Sequence, residues 1–187
     1  AQETVCAVVK LELGQEATLE REAFAAKLSL TNNQSAEPLS NLQVDIRIRD
    51  DQNQPAEGLF FVKVTNLDGV AAVDGTGVIQ PAGKAAISWL IIPSPGAGGS
   101  SAAGKKYAVS AHVSLKNAGE VKILDTFGAL IAVKPQPKLR LEYALPFEVF
   151  GDEALTEAVE PIEPFPLGFR VINVGSGTAR DFQVESG

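Results

Sequence analysis

The strictest pattern in the sequence is the alternation of apolar and polar residues along short segments. In residues 42–48 every second side chain is apolar, and these side chains are Leu42, Val44, Ile46 and Ile48. A period of two residues is typical of a β-strand, because successive side chains point to opposite faces of the sheet. The pattern therefore predicts a strand with one face in a core and the other in water.

Similar patterns recur along the first two thirds of the chain and predict an all-β fold. The further predicted strands are residues 4–13, 24–31, 59–65, 77–79, 85–92, 107–115 and 121–133. Residues 85–92 are apolar on both faces apart from Ser88, so we expect a central strand with Trp89 in the core. Asp125 and Thr126 interrupt the last pattern and predict a bulge or bend. We expect an immunoglobulin-like β-sandwich in residues 1–134.

Residues 93–106 are rich in Pro, Gly, Ser and Ala and have no periodicity. This composition predicts a mobile loop between two strands. Residues 135–138 contain two prolines flanked by lysines. Because proline cannot donate a hydrogen bond within a sheet and favours extended backbone, they predict a stiff linker.

A near-repeat suggests that a second module follows the linker. Residues 28–33 alternate into an asparagine at position 32, and residues 169–174 alternate in the same way into an asparagine at position 173. Further strands are predicted in residues 139–145, 165–171 and 181–185. Residues 139–187 span about half of a sandwich of ~100 residues, so we expect an incomplete second β-sandwich module.

An incomplete module needs a cover for its apolar face. Three strands with one apolar face are not stable alone in water. We expect Leu141, Phe165, Phe169 and Val171 to pack on the first module or on another protein chain, through strand addition or a homo-oligomer. The sequence contains no Met, and we expect it to be a piece of a larger protein.

Two segments carry a family resemblance. Residues 169–179, Phe-Arg-Val-Ile-Asn-Val-Gly-Ser-Gly-Thr-Ala, resemble the strand and Asn-x-Gly-x-Gly-x-Ala turn of CARDB-like and related bacterial immunoglobulin-like modules. The strand from Tyr107 to Val113 is similar to the F strand of fibronectin III-like sandwiches, although residues 32–36 of the first module lack the glycines of the turn. The resemblance implies adhesion-type or spacer domains of large proteins, located outside the cell or at its surface.

The net charge limits the binding partners, and the single cysteine limits the possible disulfides. A net charge of -7 with a pI near 4.8 opposes binding to nucleic acid and to anionic membranes. No apolar stretch is long enough for a membrane span, so we expect no membrane insertion. Cys6 is the only cysteine, which excludes an intramolecular disulfide, and we expect it to be a small buried side chain rather than a reactive thiol.

Catalytic chemistry has one candidate base. His112 is the only histidine, and Ser110 and Ser114 share its predicted strand face. A triad needs a nucleophile and an orienting acid in reach of the histidine, but these three residues also form the regular polar face of a strand. We expect no enzyme activity and no cofactor, and one His with one distant Cys does not supply a zinc site.

Two acidic loops are candidates for calcium, which prefers several oxygen ligands from loops. The first contains Asp50, Asp51 and Asn53. The second contains Asp152, Glu153, Glu157, Glu160 and Glu163. Neither has the alternating Asp-x-Asp-x-Asp-Gly spacing of a calcium loop, and the interpretation that we favour is a solvated acidic surface.

The remaining alternative is carbohydrate binding, which uses exposed aromatic side chains as a platform. Aromatic residues make up only 6% of the chain. Phe60 and Phe61 are adjacent, so one must face outward, and an open face with Phe61 beside Trp89 would support a sugar site. We expect a structural, adhesive or spacer module that works by protein contact; the alternative is a carbohydrate-binding accessory module of an extracellular enzyme.

Overall fold

A computed structural model describes residues 7–146, 155–159, 161 and 164–185 of the chain. Cys6 lies outside the described residues. The described part contains no α-helix and one short 3-10 helix, Glu57–Leu59. Its strands are β1 (Ala7–Leu13), β2 (Ala17–Leu19), β3 (Phe24–Asn32), β4 (Leu39–Asp50), β5 (Phe60–Asp68), β6 (Asp74–Ile79), β7 (Lys84–Pro93), β8 (Lys105–Asn117), β9 (Glu120–Asp125), β10 (Ala129–Lys134), β11 (Leu139–Ala144) and β12 (Gly168–Asn173).

The first ten strands form two sheets, which together make an immunoglobulin-like β-sandwich. The first sheet has four strands in the order β1-β3-β7-β5. The second has six, in the order β2-β10-β8-β4-β6 with β9 also paired to β8. Only the β2–β10 pair is parallel among the described pairs. The all-β prediction is confirmed.

The core lies between the two sheets and follows the alternation of the sequence. Every second side chain of β7, from Ala85 through Trp89 to Ile91, is buried, as is every second side chain of β8 from Tyr107 to Leu115. Leu42, Val44 and Ile48 face the same core from β4, and Ile46 is half-buried beside them. The predicted inward faces of β4 and β7 are therefore confirmed, including the place of Trp89.

Tyr107 fixes the start of β8. Its hydroxyl donates a hydrogen bond to the carbonyl oxygen of Ala97 at 2.6 Å, and its ring packs edge-on against Phe60 with centroids 4.9 Å apart. A buried tyrosine that bonds back to the preceding corner is a feature of immunoglobulin-like sandwiches. Burial raises the pKa of Tyr107, and the negative charge of Asp50 adds to this effect.

The interruption at Asp125 and Thr126 is a bulge, as predicted. Asp125 lies opposite His112 and Ala129 lies opposite Val109, so the three residues 126–128 face the two residues 110–111. Thr126 closes the gap: its amide donates to the carbonyl of Ala111 at 3.0 Å, and its hydroxyl accepts the Ala111 N–H at 2.8 Å. The predicted single strand is consequently divided into β9 and β10.

The loop in residues 93–106 is anchored in its first half, unlike the mobile tract that its composition predicts. Ala97 and Gly98 are buried, and the Ala97 carbonyl holds the Tyr107 hydroxyl. A second anchor is Glu20, whose carboxylate accepts the N–H groups of Gly96 and Gly98 from 76 and 78 residues away. A lack of periodicity does not reveal such distant contacts.

The last two strands form a separate antiparallel ribbon, β11–β12. The predicted third strand in residues 181–185 is wrong, because the described backbone there is not a strand. Residues 41–44 of the first module, Asn-Leu-Gln-Val, have a pattern similar to Asp-Phe-Gln-Val at residues 181–184, and they pair with β6 and β8. No such neighbours lie beside residues 181–185 in the part of the chain that the structure describes, so the same local pattern has nothing to pair with.

Candidate functional site

A set of hydrogen bonds between distant segments lies where the linker leaves the sandwich, and the buried Glu20 is its first member. This carboxylate is buried, and its Oε1 atom accepts the N–H groups of Gly96 at 2.9 Å and Gly98 at 2.8 Å. The Glu20 amide donates to the carbonyl of Lys134 at 2.9 Å. A buried carboxylate needs such donors to offset its lost hydration. Glu20 therefore ties the loop before β8 to the last residue of β10.

Gly98 brings that loop directly onto the linker. A Cβ atom at this position would overlap the backbone nitrogen of Pro135. Only glycine allows such an approach without moving one of the two segments. The loop and the first linker residue are therefore in van der Waals contact.

On its other side the linker is held by the side chain of Asn173, the last residue of β12. The Asn173 Oδ1 atom accepts the N–H of Lys138 at 3.1 Å and the N–H of Gly175 at 3.0 Å. Its Nδ2 group donates to the carbonyl of Gly177 at 2.7 Å. One amide side chain thus joins the end of the linker to the middle and the last residue of the turn in residues 173–177. We call this arrangement the linker clamp.

Backbone hydrogen bonds complete the linker clamp. The Val174 amide donates to the carbonyl of Lys138 at 2.7 Å, and the Gly177 amide donates to the carbonyl of Gln136 at 3.2 Å. Two residues of the linker are consequently bonded to the turn through their main chains. These bonds do not depend on the linker side chains, so the geometry is set by the turn.

The two glycines of the turn are required by close approach. A Cβ atom at Gly175 would overlap the Lys138 nitrogen, and one at Gly177 would overlap the Pro135 carbonyl. The Asn-x-Gly-x-Gly pattern was recognised in the sequence as a turn, but its contact with the linker was not. Glu20 and Gly98 were also missed, because nothing in their local sequence distinguishes them from loop residues.

The same asparagine geometry occurs in the first module. Asn32 ends β3, and its Oδ1 atom accepts the Gln34 N–H at 2.9 Å, as Asn173 accepts the N–H two residues later. The Asn32 Nδ2 group donates to the carbonyls of Glu37 and Gln80, each at 3.0 Å. The near-repeat of the sequence is therefore also a repeat of local structure, even though the glycines are absent after Asn32.

A crevice of about 360 Å³ marks the place where loop, linker and turn meet. Its charged lining comes from Glu20, Arg21 and Lys138. Glu20 is already bound to two backbone amides, so Arg21 and Lys138 supply the free charge of the wall. The crevice lies along the linker, which contacts the loop at Gly98 and the turn at Gly175 and Gly177.

Among the first calcium candidates, Asp50 stabilises its own loop through hydrogen bonds. The Asp50 Oδ1 atom accepts the N–H groups of Gln52 and Gln54, both at 2.9 Å, and Asp51 is exposed. Asn53 has a positive φ of 58°, which asparagine tolerates. No group of three or more His, Cys, Asp or Glu side chains suited to a metal occurs among the described residues. Calcium binding at this loop stays a prediction.

The second calcium candidates fall largely where the structure gives no description. Asp152, Glu153, Glu160 and Glu163 lie outside the described residues. Glu157 is described and is exposed.

His112 is paired with a carboxylate that the sequence did not suggest as its partner. The Nδ1 atom of His112 lies 2.6 Å from Asp125 Oδ1, and Arg47 Nη1 lies 3.9 Å from the same oxygen. Ser110 and Ser114 share the face, but no hydrogen bond joins either to the imidazole in the described part of the chain. The pair links β8 to β9 across the outer face of the sheet.

The aromatic residues considered for sugar binding are separated. Trp89 is 3% exposed and lies in the core, whereas Phe61 is 57% exposed. A stacking platform needs both rings on one open face, and this pair does not provide it.

Comparisons with known proteins give limited similarity. No family model matches the chain, and no curated protein matches it. Among solved structures, the major pilin subunit of Bacillus cereus is 10% identical, with a TM-score of 0.40 over 91% of this chain and 56% of the pilin. A family 123 glycoside hydrolase from Clostridium perfringens is 11% identical, with a TM-score of 0.40 over 69% of this chain and 28% of the hydrolase.

A sporulation control protein from Bacillus subtilis is 13% identical, with a TM-score of 0.39 over 69% of this chain and 49% of that protein. The chain thus spans between 28% and 56% of the length of these three proteins. Likenesses at this level carry no argument about function. Within the described residues, no helix has the length and apolar character needed to cross a membrane.

Proposed function

We propose that this chain is a non-catalytic spacer or adhesive module of a larger secreted or cell-surface protein, and that it acts by protein contact. The observation that supports this most directly is the linker clamp. Asn173 accepts from Lys138 and Gly175 and donates to Gly177, which holds the linker at a set geometry. A spacer needs a fixed geometry between its modules, and these bonds restrain the linker at the end that adjoins β11.

Two further features support rigid spacing. Pro135 and Pro137 restrict the backbone of the linker to extended conformations. Glu20 and Gly98 hold the sandwich side of the linker, so both ends of the linker are restrained. In this proposal residues 1–134 are one module, residues 135–138 are the linker, and residues 139–187 belong to the second module.

The family resemblance and the charge fit the same role. The turn in residues 173–179 resembles that of CARDB-like modules, for which it implies spacer or adhesion roles outside the cell. The net charge of -7 keeps the surface soluble and disfavours nucleic acid and anionic membranes as partners.

The experiment measures the distance between two spin labels, one on each side of the linker. Labels are placed on cysteines introduced by Lys63→Cys and Ala144→Cys, with Cys6 replaced by alanine. A clamped linker gives a narrow distance distribution. Asn173→Ala removes the three side-chain hydrogen bonds of the clamp and broadens the distribution at least twofold.

The matched control is Asn66→Ala, which removes an exposed asparagine from β5 and leaves the distribution narrow. If the unmodified chain already has the broad distribution of Asn173→Ala, the linker does not set a fixed spacing and the proposal fails.

A further inference from the structure

The ribbon β11–β12 has the same ladder as β1–β3. In β1–β3, Asn32 at the end of β3 lies opposite Ala7 at the start of β1. In β11–β12, Asn173 at the end of β12 lies opposite Leu139 at the start of β11. Counting back from the two asparagines places Phe169 at the position of Leu28 and Val171 at the position of Leu30. The first module is thus a template for the neighbours that β12 should have.

The two ladders differ in their cover. Leu28 and Leu30 are 0% and 1% exposed. Phe169 is 51% exposed and Val171 is half-buried. On the neighbouring strand β11, Leu141 is 62% exposed, and Tyr143 lies opposite Phe169 and is also exposed. We call these four side chains the ribbon face. In the described part of the chain, the sandwich does not cover it.

No described strand pairs with the second edge of β12, which we call the free edge. In the template, β3 pairs with β1 on one side and with β7 on the other. Among the described residues, β12 pairs with β11 alone. A strand edge with unpaired N–H and C=O groups is a site for the addition of another strand. The template also gives the direction and pattern of that strand, since β7 is antiparallel to β3 and has apolar residues at every second position.

The charged side chains of the ribbon, on the face opposite the ribbon face, set a further requirement for the sequence of the added strand. The carboxylate of Glu142 is 2.9 Å from Arg140 and 4.0 Å from Arg170. Two guanidinium groups therefore share one carboxylate, which leaves a net positive charge beside the free edge. An acidic side chain on the added strand, directly opposite Arg170, would balance it. In the template the corresponding pair is Ser29 and Ala86.

We propose that the free edge of β12 binds an extended segment of another polypeptide. The segment runs antiparallel to β12, places apolar side chains opposite Phe169 and Val171, and places an acidic side chain opposite Arg170. Its main chain pairs with β12, and its apolar side chains extend the ribbon face. This inference rests on the proposed function, because it identifies the protein contact through which the module acts.

The test uses a peptide built on the β7 sequence, residues 84–93, with the change Ala86→Glu and added terminal lysines for solubility. The full chain is labelled with ¹⁵N and titrated with the peptide. Binding shifts the amide resonances of β12 and slows their hydrogen exchange at least tenfold. At low salt the Ala86→Glu peptide binds about three- to tenfold more tightly than an Ala86→Lys peptide, and added salt reduces this difference.

Two chain variants separate the edge of β12 from general adhesion to strands. Val171→Asp places a charge on the ribbon face and abolishes binding. Val121→Asp makes the same change on β9, where Val121 is 60% exposed, and leaves binding unchanged. Trp89 fluorescence checks that the sandwich stays folded in both variants, and the ¹⁵N spectrum without peptide checks that the β11–β12 amides of Val171→Asp keep their native dispersion.

Three results of the titration would overturn the proposal: peptide-induced shifts outside β11–β12, equal binding of the Glu and Lys peptides, or no binding. Dimerisation of the chain through β12 without peptide would also overturn it, because the occupant would then be a second copy. None of these results affects the spin-label distances that test the proposed spacer role, so the two proposals can fail separately.

Discussion

The ladders β1–β3 and β11–β12 have the same alternation and the same terminal asparagine, but they have different surroundings. The first is covered by β7 on its edge and by the second sheet on its face. The second has one described pairing and an exposed apolar face. The two ladders therefore share a register that their alternation specifies, whereas their stability depends on the layers that cover them.

This difference in cover also explains why the position of the ribbon depends on the linker clamp. A two-stranded ribbon gains little from burial, so its position depends on specific hydrogen bonds. Asn173 supplies three of them to the linker and turn. In the sandwich the equivalent Asn32 is itself 1% exposed, and its hydrogen bonds supplement a core that already exists.

The largest contrast is expected from Leu28→Ala and Phe169→Ala, which truncate equivalent positions of the two ladders. Leu28 is fully buried, and its loss should lower the free energy of unfolding by about 2–5 kcal/mol. Phe169 is half exposed, so its loss should change the same quantity by less than about 0.5 kcal/mol. Urea denaturation followed by Trp89 fluorescence measures both. Equal losses would mean that the ribbon unfolds as one unit with the sandwich.

The next contrast compares Asn32→Ala with Asn173→Ala. Asn32→Ala removes the donor to the Ile79 carbonyl, at 3.4 Å in a buried position, and to the partly buried Gln80 carbonyl, at 3.0 Å. We expect a loss of about 2–3 kcal/mol in the sandwich. Asn173→Ala should leave the Trp89 transition unchanged, because its hydrogen bonds lie in the linker and turn. A large shift of that transition in Asn173→Ala would show that the clamp stabilises the sandwich as well.

Replacing Tyr107 or Tyr143 by phenylalanine should give a smaller difference in the free energy of unfolding, and this difference depends on pH. Tyr107→Phe removes the hydrogen bond to Ala97 and should cost about 1–2 kcal/mol at pH 7, whereas Tyr143→Phe on the ribbon face should have no effect. Because burial raises the pKa of Tyr107, the neutral phenol stabilises the fold fully below its unfolded pKa of about 10. This contribution is lost as the pH rises above that value.

Urea denaturation at pH 7 and at steps above pH 10 separates these effects. The unmodified chain should lose more stability with alkali than Tyr107→Phe, and their difference should shrink as the pH rises. An unchanged difference up to the highest pH measured would mean that Tyr107 ionises equally easily in both states.

The alternation in the sequence predicts much of this fold because it depends on neighbours two residues apart. It places the inward face of β4, the core position of Trp89 and the bulge after Asp125. The three residues of β2 are too few for a period to be seen. The strand predicted in residues 181–185 failed because a strand needs a partner, and alternation does not report whether one is present.

The linker junction was less predictable because its contacts join residues far apart in the sequence. Glu20 binds Gly96 and Gly98 across more than seventy positions, and no local pattern marks it. The Asn-x-Gly-x-Gly turn was visible, but the segment that its glycines approach was not. A sequence motif predicts the local backbone geometry. Which other segment packs against it depends on the tertiary fold.

The smallest effect concerns how each ladder is closed. β8 and β9 are joined by Ala118 and Gly119, with φ values of 48° and 85°, the conformation of a type I′ turn that fixes register locally. The strands β11 and β12 lack such a turn, since residues 145–167 separate them. Asn tolerates positive φ better than Ala, so Ala118→Asn should stabilise the sandwich by about 0.5 kcal/mol.

Gly119→Ala should destabilise the sandwich by about 1 kcal/mol through backbone strain alone, because a Cβ atom there meets nothing within 4 Å. Opposite signs in urea denaturation are expected; equal signs would mean that this turn does not fix the β8–β9 register.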